Sequence, residues 1–203
     1  MSVLTQEDIK KCFNERDFSK RLIVTPLLNP SESIGCSSVE VRLGNQFVLM
    51  RRQSFTHLDI AENASNSQKS FEKYQQRVIT KYKEPFVLHP HQLVISSTLE
   101  YISLPERLMA YIIGKSTWGR MGLIVATAFK IDPGFKGSIT LEIINEGEVP
   151  ILLYPGIFIA QLVLHEVTSS TKYNGKYDCP IGPEFPKFTP SKDWSFWTPK
   201  KST

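Results

Sequence analysis

From residue 86 onward the chain alternates short apolar runs with Pro, Gly and Asn turns. The runs cover residues 93–99, 108–113, 139–144, 151–154 and 158–167. Upstream, Val39, Val41 and Leu43 alternate with polar positions, as a strand with one buried face does. Regular short strands broken by turn residues predict an all-β barrel or sandwich with few, short helices. Thr5 followed by Asp8 reads as a helix start that sets Ile9, Cys12 and Phe13 on one face, so a short opening helix is predicted. Pro26, Pro30 and the serines around Glu32 predict a loop. Residues 63–83 are polar and break the strand rhythm, which suggests a short helix or a mobile excursion. After Thr171, five prolines are interspersed with Phe185, Phe188, Trp194, Phe196 and Trp197, which excludes a regular helix or central strand. The expected division is a domain over residues 1–170 and a tail over 171–203.

Composition narrows the class. A chain of 203 residues, 41% hydrophobic and 22% charged, can bury a core as one soluble domain. No apolar run approaches the length of a membrane span. The first residues are polar and acidic, unlike a signal peptide, and Cys12, Cys36 and Cys179 form neither a zinc spacing nor a disulfide framework. A reducing, cytoplasmic setting is expected. The net charge of +4 comes from scattered Lys and Arg, so the expected anionic partner is a nucleotide rather than a nucleic acid or a membrane.

Candidate chemistry is concentrated between residues 114 and 142. Gly114-Lys115-Ser116-Thr117-Trp118-Gly119-Arg120 joins small residues to cations, which suits a triphosphate. It is not a P-loop, because Met109 stands where the first glycine is required. Ile131-Asp132-Pro133-Gly134 supplies a carboxylate on a turn, where Asp is also ordinary turn chemistry. Glu142 lies on an apolar strand and must either reach solvent or be paired. Zinc deaminases carry H-x-E and P-C-x-x-C, and neither pattern occurs here; His57, His89, His91 and His165 fall outside any such arrangement.

These segments resemble the dCTP deaminases of the trimeric dUTPase-like superfamily. The likeness runs through Ser38-Val39-Glu40-Val41-Arg42-Leu43-Gly44, Leu88-His89-Pro90 to Glu100, the 114–123 and 131–142 blocks, and Pro155-Gly156 to Gln161-Leu162. It covers about residues 34 to 180. The resemblance implies a distorted β-barrel or jelly roll, assembly as a homotrimer or hexamer, and an active site between subunits. It also implies a zinc-independent reaction in which dCTP and water give dUTP and ammonia, with Mg²⁺ accompanying the triphosphate and dTTP as a feedback inhibitor.

By the same resemblance, Glu142 is the catalytic base, Ser116 orients water and Arg120 holds the carboxylate ionised. Lys115, Ser116 and Thr117 contact phosphate, and Asp132 meets the deoxyribose 3′-hydroxyl. Tyr173 and Lys176 belong to a closing lid. Pro180 stands where the family often has Gln, and the loop after Val125 lacks a His found in many relatives. Two other readings stay open at this point. One is a bifunctional enzyme ending at dUMP and pyrophosphate; a plain dUTPase is disfavoured by the few glycines after residue 171. The other is a non-catalytic nucleotide-sensing module.

Overall fold

Thr5 opens the helix α1 (Gln6–Phe13): its hydroxyl accepts the Asp8 N–H at 3.4 Å, and acidic residues fill the first turn and basic ones the last. Ile9 and Cys12 are buried beneath it. The predicted loop near Pro26 contains one helical turn, α2 (Pro30–Ser33), started by its proline. The computed structural model describes residues 2–51, 73–169, 173, 175–177, 179–187 and 194–197.

The strands in chain order are β1 (Ile23–Thr25), β2 (Val39–Arg42), β3 (Gln46–Met50), β4 (Gln75–Ile79), β5 (Phe86–Leu88), β6 (Leu93–Ser97) and β7 (Tyr101–Ser103). They continue with β8 (Leu108–Gly114), β9 (Leu123–Val125), β10 (Lys130–Ile131), β11 (Lys136–Gly137), β12 (Thr140–Asn145), β13 (Ile151–Leu153) and β14 (Phe158–Glu166). The helical turns α3 (Ser116–Gly119) and α4 (Trp194–Trp197) complete the elements. Two sheets dominate, ordered β4-β3-β6-β12-β9 and β10-β8-β14-β2, beside the smaller β1-β7-β11 and β13-β5. The β-rich, antiparallel architecture is the one the apolar runs predicted.

Alternation along the central strands builds the core. Leu108, Ala110 and Ile112 of β8, Leu141 and Ile143 of β12, and Ile159, Leu162 and Leu164 of β14 are buried. Each such Leu or Ile contributes about 1.5–3 kcal/mol. Phe47 and Phe86 stack at 4.2 Å between centroids. Asn145 ends β12 inside this core, and its amide donates to the carbonyls of Leu88 and Val149 and accepts the Gly147 N–H.

β4 differs from expectation, because part of the polar stretch 63–83 is a strand. It pairs with β3 in register Phe47↔Val78 at the sheet edge, where neither of its faces is buried and no alternation arises. Residues 52–72 lie outside the described residues. No helix among the described residues is long and apolar enough to cross a membrane.

Candidate active site

β12 turns Leu141, Ile143 and Asn145 to the core and Thr140, Glu142 and Ile144 to the other face. Glu142 sits opposite Ile95 of β6, while its neighbour Ile143 pairs with Val125 of β9. Its peptide N–H donates to the Thr127 hydroxyl at 2.9 Å, and its carbonyl accepts the Ala126 N–H at 2.8 Å. The backbone of Glu142 is thus held from a loop as well as from the sheet. Its Oε2 is buried without a hydrogen-bond partner among the described residues. A buried, unpartnered carboxylate oxygen is costly, and such sites are where a proton donor is received.

Glu142 lines a pocket of about 540 Å³. The Asp132-Pro133-Gly134 turn forms another wall. It is closed by Gly134 at φ +76°, a left-handed conformation that glycine adopts without steric cost. Lys130 pairs with Asp132 at 2.7 Å, and this contact raises the Lys130 ammonium above its ordinary value. Tyr173 packs edge-on against Phe135 at 5.8 Å and anchors its N–H on the Pro133 carbonyl.

The remaining wall comes from the tail. The Pro180 carbonyl accepts the Ser138 N–H at 2.8 Å, and the Pro180 ring lies where a Cβ at Gly137 would stand. The Glu184 N–H reaches the Thr140 hydroxyl at 3.3 Å. Arg77 donates to the Pro183 carbonyl at 3.1 Å and sits 5.2 Å over the Phe185 ring. Proline and aromatic content, read as excluding a regular helix or central strand, here serves a strap docked on the pocket; the one departure among the described residues is the single helical turn Trp194–Trp197.

A second cluster surrounds the turn α3. Lys115 pairs with Glu40 and lies 5.6 Å from the Phe158 ring. The Trp118 indole donates to the Phe158 carbonyl at 2.8 Å. Arg42 covers the other part of this cluster, 4.1 Å from the Phe158 ring, and bonds Glu100 at 3.2 Å. Burial pushes the Glu100 carboxyl above its ordinary value, against the pull of the Arg42 hydrogen bonds. Ser116, Thr117 and Arg120 are exposed.

The structure therefore brings Asp132, Glu142 and Tyr173 together and sets Lys115, Ser116, Thr117 and Arg120 apart. Gly122, two residues past Arg120, accepts the Glu146 N–H, and Leu123 pairs with Asn145. Asn145 is about 10 Å along β12 from Glu142, at ~3.4 Å per residue. No residue of the 115–120 segment lines the Glu142 pocket. Lys176 is exposed outside the pocket wall, and its carbonyl accepts from Lys187. Thr127, Thr140 and Glu184 were missed as site residues. The i,i+2 spacing of Thr140 and Glu142 was the one available signal, since it sets both on one strand face.

His91 approaches Glu146 at 3.9 Å, and His165 stacks edge-on with Tyr111. No group of three or more His, Cys, Asp or Glu among the described residues is arranged to hold a metal ion.

Residues 3–167 match the family described as dCTP deaminase-like. A "dCTP deaminase, dUMP-forming" of Methanosphaera stadtmanae is 34% identical over 195 residues, 92% of this chain and 94% of the relative. One of the same name from Dictyoglomus turgidum is 37% identical over 188 residues, 89% of this chain and 92% of the relative. The crystal structure of the 2′-deoxycytidine 5′-triphosphate deaminase of Agrobacterium tumefaciens superposes with a TM-score of 0.58 at 22% identity. That match covers 80% of this chain and 46% of the other, and it bears on the fold. The names of the relatives correct one expectation. They end at dUMP, so the reading in which the reaction stops at dUTP does not stand.

Proposed function

Because the chain belongs to the dCTP deaminase-like family, we propose that it converts dCTP and two waters to dUMP, ammonia and pyrophosphate. The observation that carries this reading is one pocket in which the β-domain sets two carboxylates, Glu142 and Asp132, in different settings, beside the tail's Glu184. Glu142 is fixed on a strand paired on both sides, with one oxygen buried and unpartnered among the described residues, and Asp132 is on a turn, paired with Lys130. The substrate is the Mg²⁺ complex of dCTP, as is usual for a triphosphate.

Deamination needs a proton taken from water, a proton placed on N3, and attack at C4. Glu142 can perform both transfers without zinc. Water adds at C4, the C4–N4 bond breaks, and the amino group leaves as ammonia. The triphosphate then lies near Asp132, which directs a second water at the α-phosphorus and expels pyrophosphate.

Within one chain the Glu142 pocket lacks the cations of the 115–120 segment. The reading is therefore completed by a neighbouring copy in a homotrimer, which brings its own Ser116, Thr117 and Arg120 to this pocket. Lys115 joins them by exchanging Glu40 for phosphate. Tyr173, Tyr177, Pro180, Glu184 and Pro186 of the tail close the pocket, with Lys176 turning to the phosphates.

Incubation with dCTP and Mg²⁺ tests the proposal. Ammonia, pyrophosphate and dUMP in equal amounts are expected. Ammonia without pyrophosphate, or no ammonia at all, would refute it.

A further inference from the structure

We propose that Glu184 selects the base: its carboxylate accepts a hydrogen bond from the exocyclic amino group of cytosine and disfavours uracil nucleotides. The inference rests on the deaminase reading above.

Among the described residues, Glu184 is the one carboxylate that the tail contributes to the pocket. Its position is fixed by the backbone. The N–H of Glu184 is held by Thr140, which shares a strand face with Glu142 about 7 Å away, two residues at ~3.4 Å each. On the N-terminal side, Gly182 adopts φ +88° against the Gln46 side chain, and Arg77 binds both Gln46 and the Pro183 carbonyl. Lys187 pairs with Glu184 Oε2 at 2.9 Å, so this pair engages one of the two carboxylate oxygens.

Chemistry then chooses the ligand group. A carboxylate accepts hydrogen bonds and offers none when ionised. Its backbone is bonded to Thr140, on the strand face of Glu142, and Glu142 must reach C4 of the base, so Glu184 belongs at the end of the pocket that takes the base. Cytosine presents an amino donor at C4, whereas uracil presents a carbonyl acceptor there. The contact is attractive with dCTP and sets two acceptors against each other for a uracil nucleotide arriving from solution. Glu142 is committed to moving protons, so a second acceptor divides selection from proton transfer.

The test compares parent protein, Glu184→Gln and Glu184→Ala. The Gln variant is isosteric and keeps the backbone bond to Thr140; its amide can serve either base. For each, the KM of dCTP and the inhibition constant of dUTP competing against dCTP are measured. The ratio of inhibition constant to KM should fall about tenfold or more in both Glu184 variants, because a polar partner has been lost or made indifferent. Equal weakening toward both nucleotides would mean that Glu184 only anchors the tail, and would overturn the inference. A parent that releases no ammonia from dCTP overturns the deaminase reading and this inference together. A parent that does, with an unchanged ratio in Glu184→Gln, overturns this inference alone.

Discussion

The peptide N–H of Glu142 rests on the hydroxyl of Thr127, 2.9 Å away across the join between β12 and the loop after β9. Thr127 is 5% exposed. Its hydroxyl therefore answers a strand donor that the sheet ladder leaves over. Thr127→Val strands that N–H and should destabilise the fold by about 1–3 kcal/mol. A lowered denaturant midpoint with an unchanged slope would show it, and an unshifted midpoint would refute the role.

Glu142→Gln keeps the shape of the side chain and removes its capacity to take a proton. Ammonia release should fall by about 10²–10⁴-fold, with dCTP binding within a small factor. Turnover near the parent rate would remove Glu142 from the mechanism.

If the cations reach Glu142 from a neighbouring copy, two dead variants can rescue each other. Arg120→Ala and Glu142→Gln should each be inactive, and mixing them under conditions that exchange subunits should restore part of the parent activity. Mixtures that stay inactive after exchange, verified by mass, would place a complete site within one chain.

Glu100 offers a test of buried charge. Its side chain is 1% exposed and that of Arg42 is 9% exposed. Glu100→Ala leaves the guanidinium without its counter-charge, at a cost of about 3–5 kcal/mol. The pH dependence follows from burial. The folded carboxyl titrates above its ordinary 4.5, so the folded state holds this proton more tightly than the unfolded chain. The associated stability is fully present below 4.5 and is lost as pH rises through the folded value. The parent should therefore lose stability relative to Glu100→Gln across that window, measured by chemical denaturation at a series of pH values. A constant difference would contradict a raised carboxyl.

Truncation before Tyr173 removes the strap but not the sheets. The product should remain folded and assembled, with kcat/KM for dCTP sharply reduced because closure no longer excludes water. Unchanged kcat/KM would mean that the tail is not a lid.

Much of the β architecture was legible because β8, β12 and β14 each bury a face, which leaves a continuous or alternating apolar signal. β4 was not, because an edge strand with partly exposed faces has no reason to alternate. β10 and β11 are two residues each, too short for any period to show. At the site, Asp132 and Glu142 stood out as carboxylates on a turn and an apolar strand. Glu184 did not, because a Glu among prolines looks like any solvated position until Thr140 and Arg77 are seen to hold its backbone. The separation of Arg120 from Glu142 depends on where β9 and β12 pair, which sequence spacing does not encode.

The pocket has walls of unequal endurance. Glu142 lies on a strand laddered to β6 and β9 on its two sides, the kind of backbone whose amides exchange with solvent only when the whole domain opens. Among the described residues the facing strap meets the sheets through single bonds, at Pro133, Ser138, Thr140 and Arg77, rather than through a ladder, the kind of attachment that opens locally at smaller cost. On the proposed reading, a nucleotide would come and go through the quick wall while the slow wall keeps its carboxylate aimed, so the clock of entry and release would be separate from the clock of unfolding.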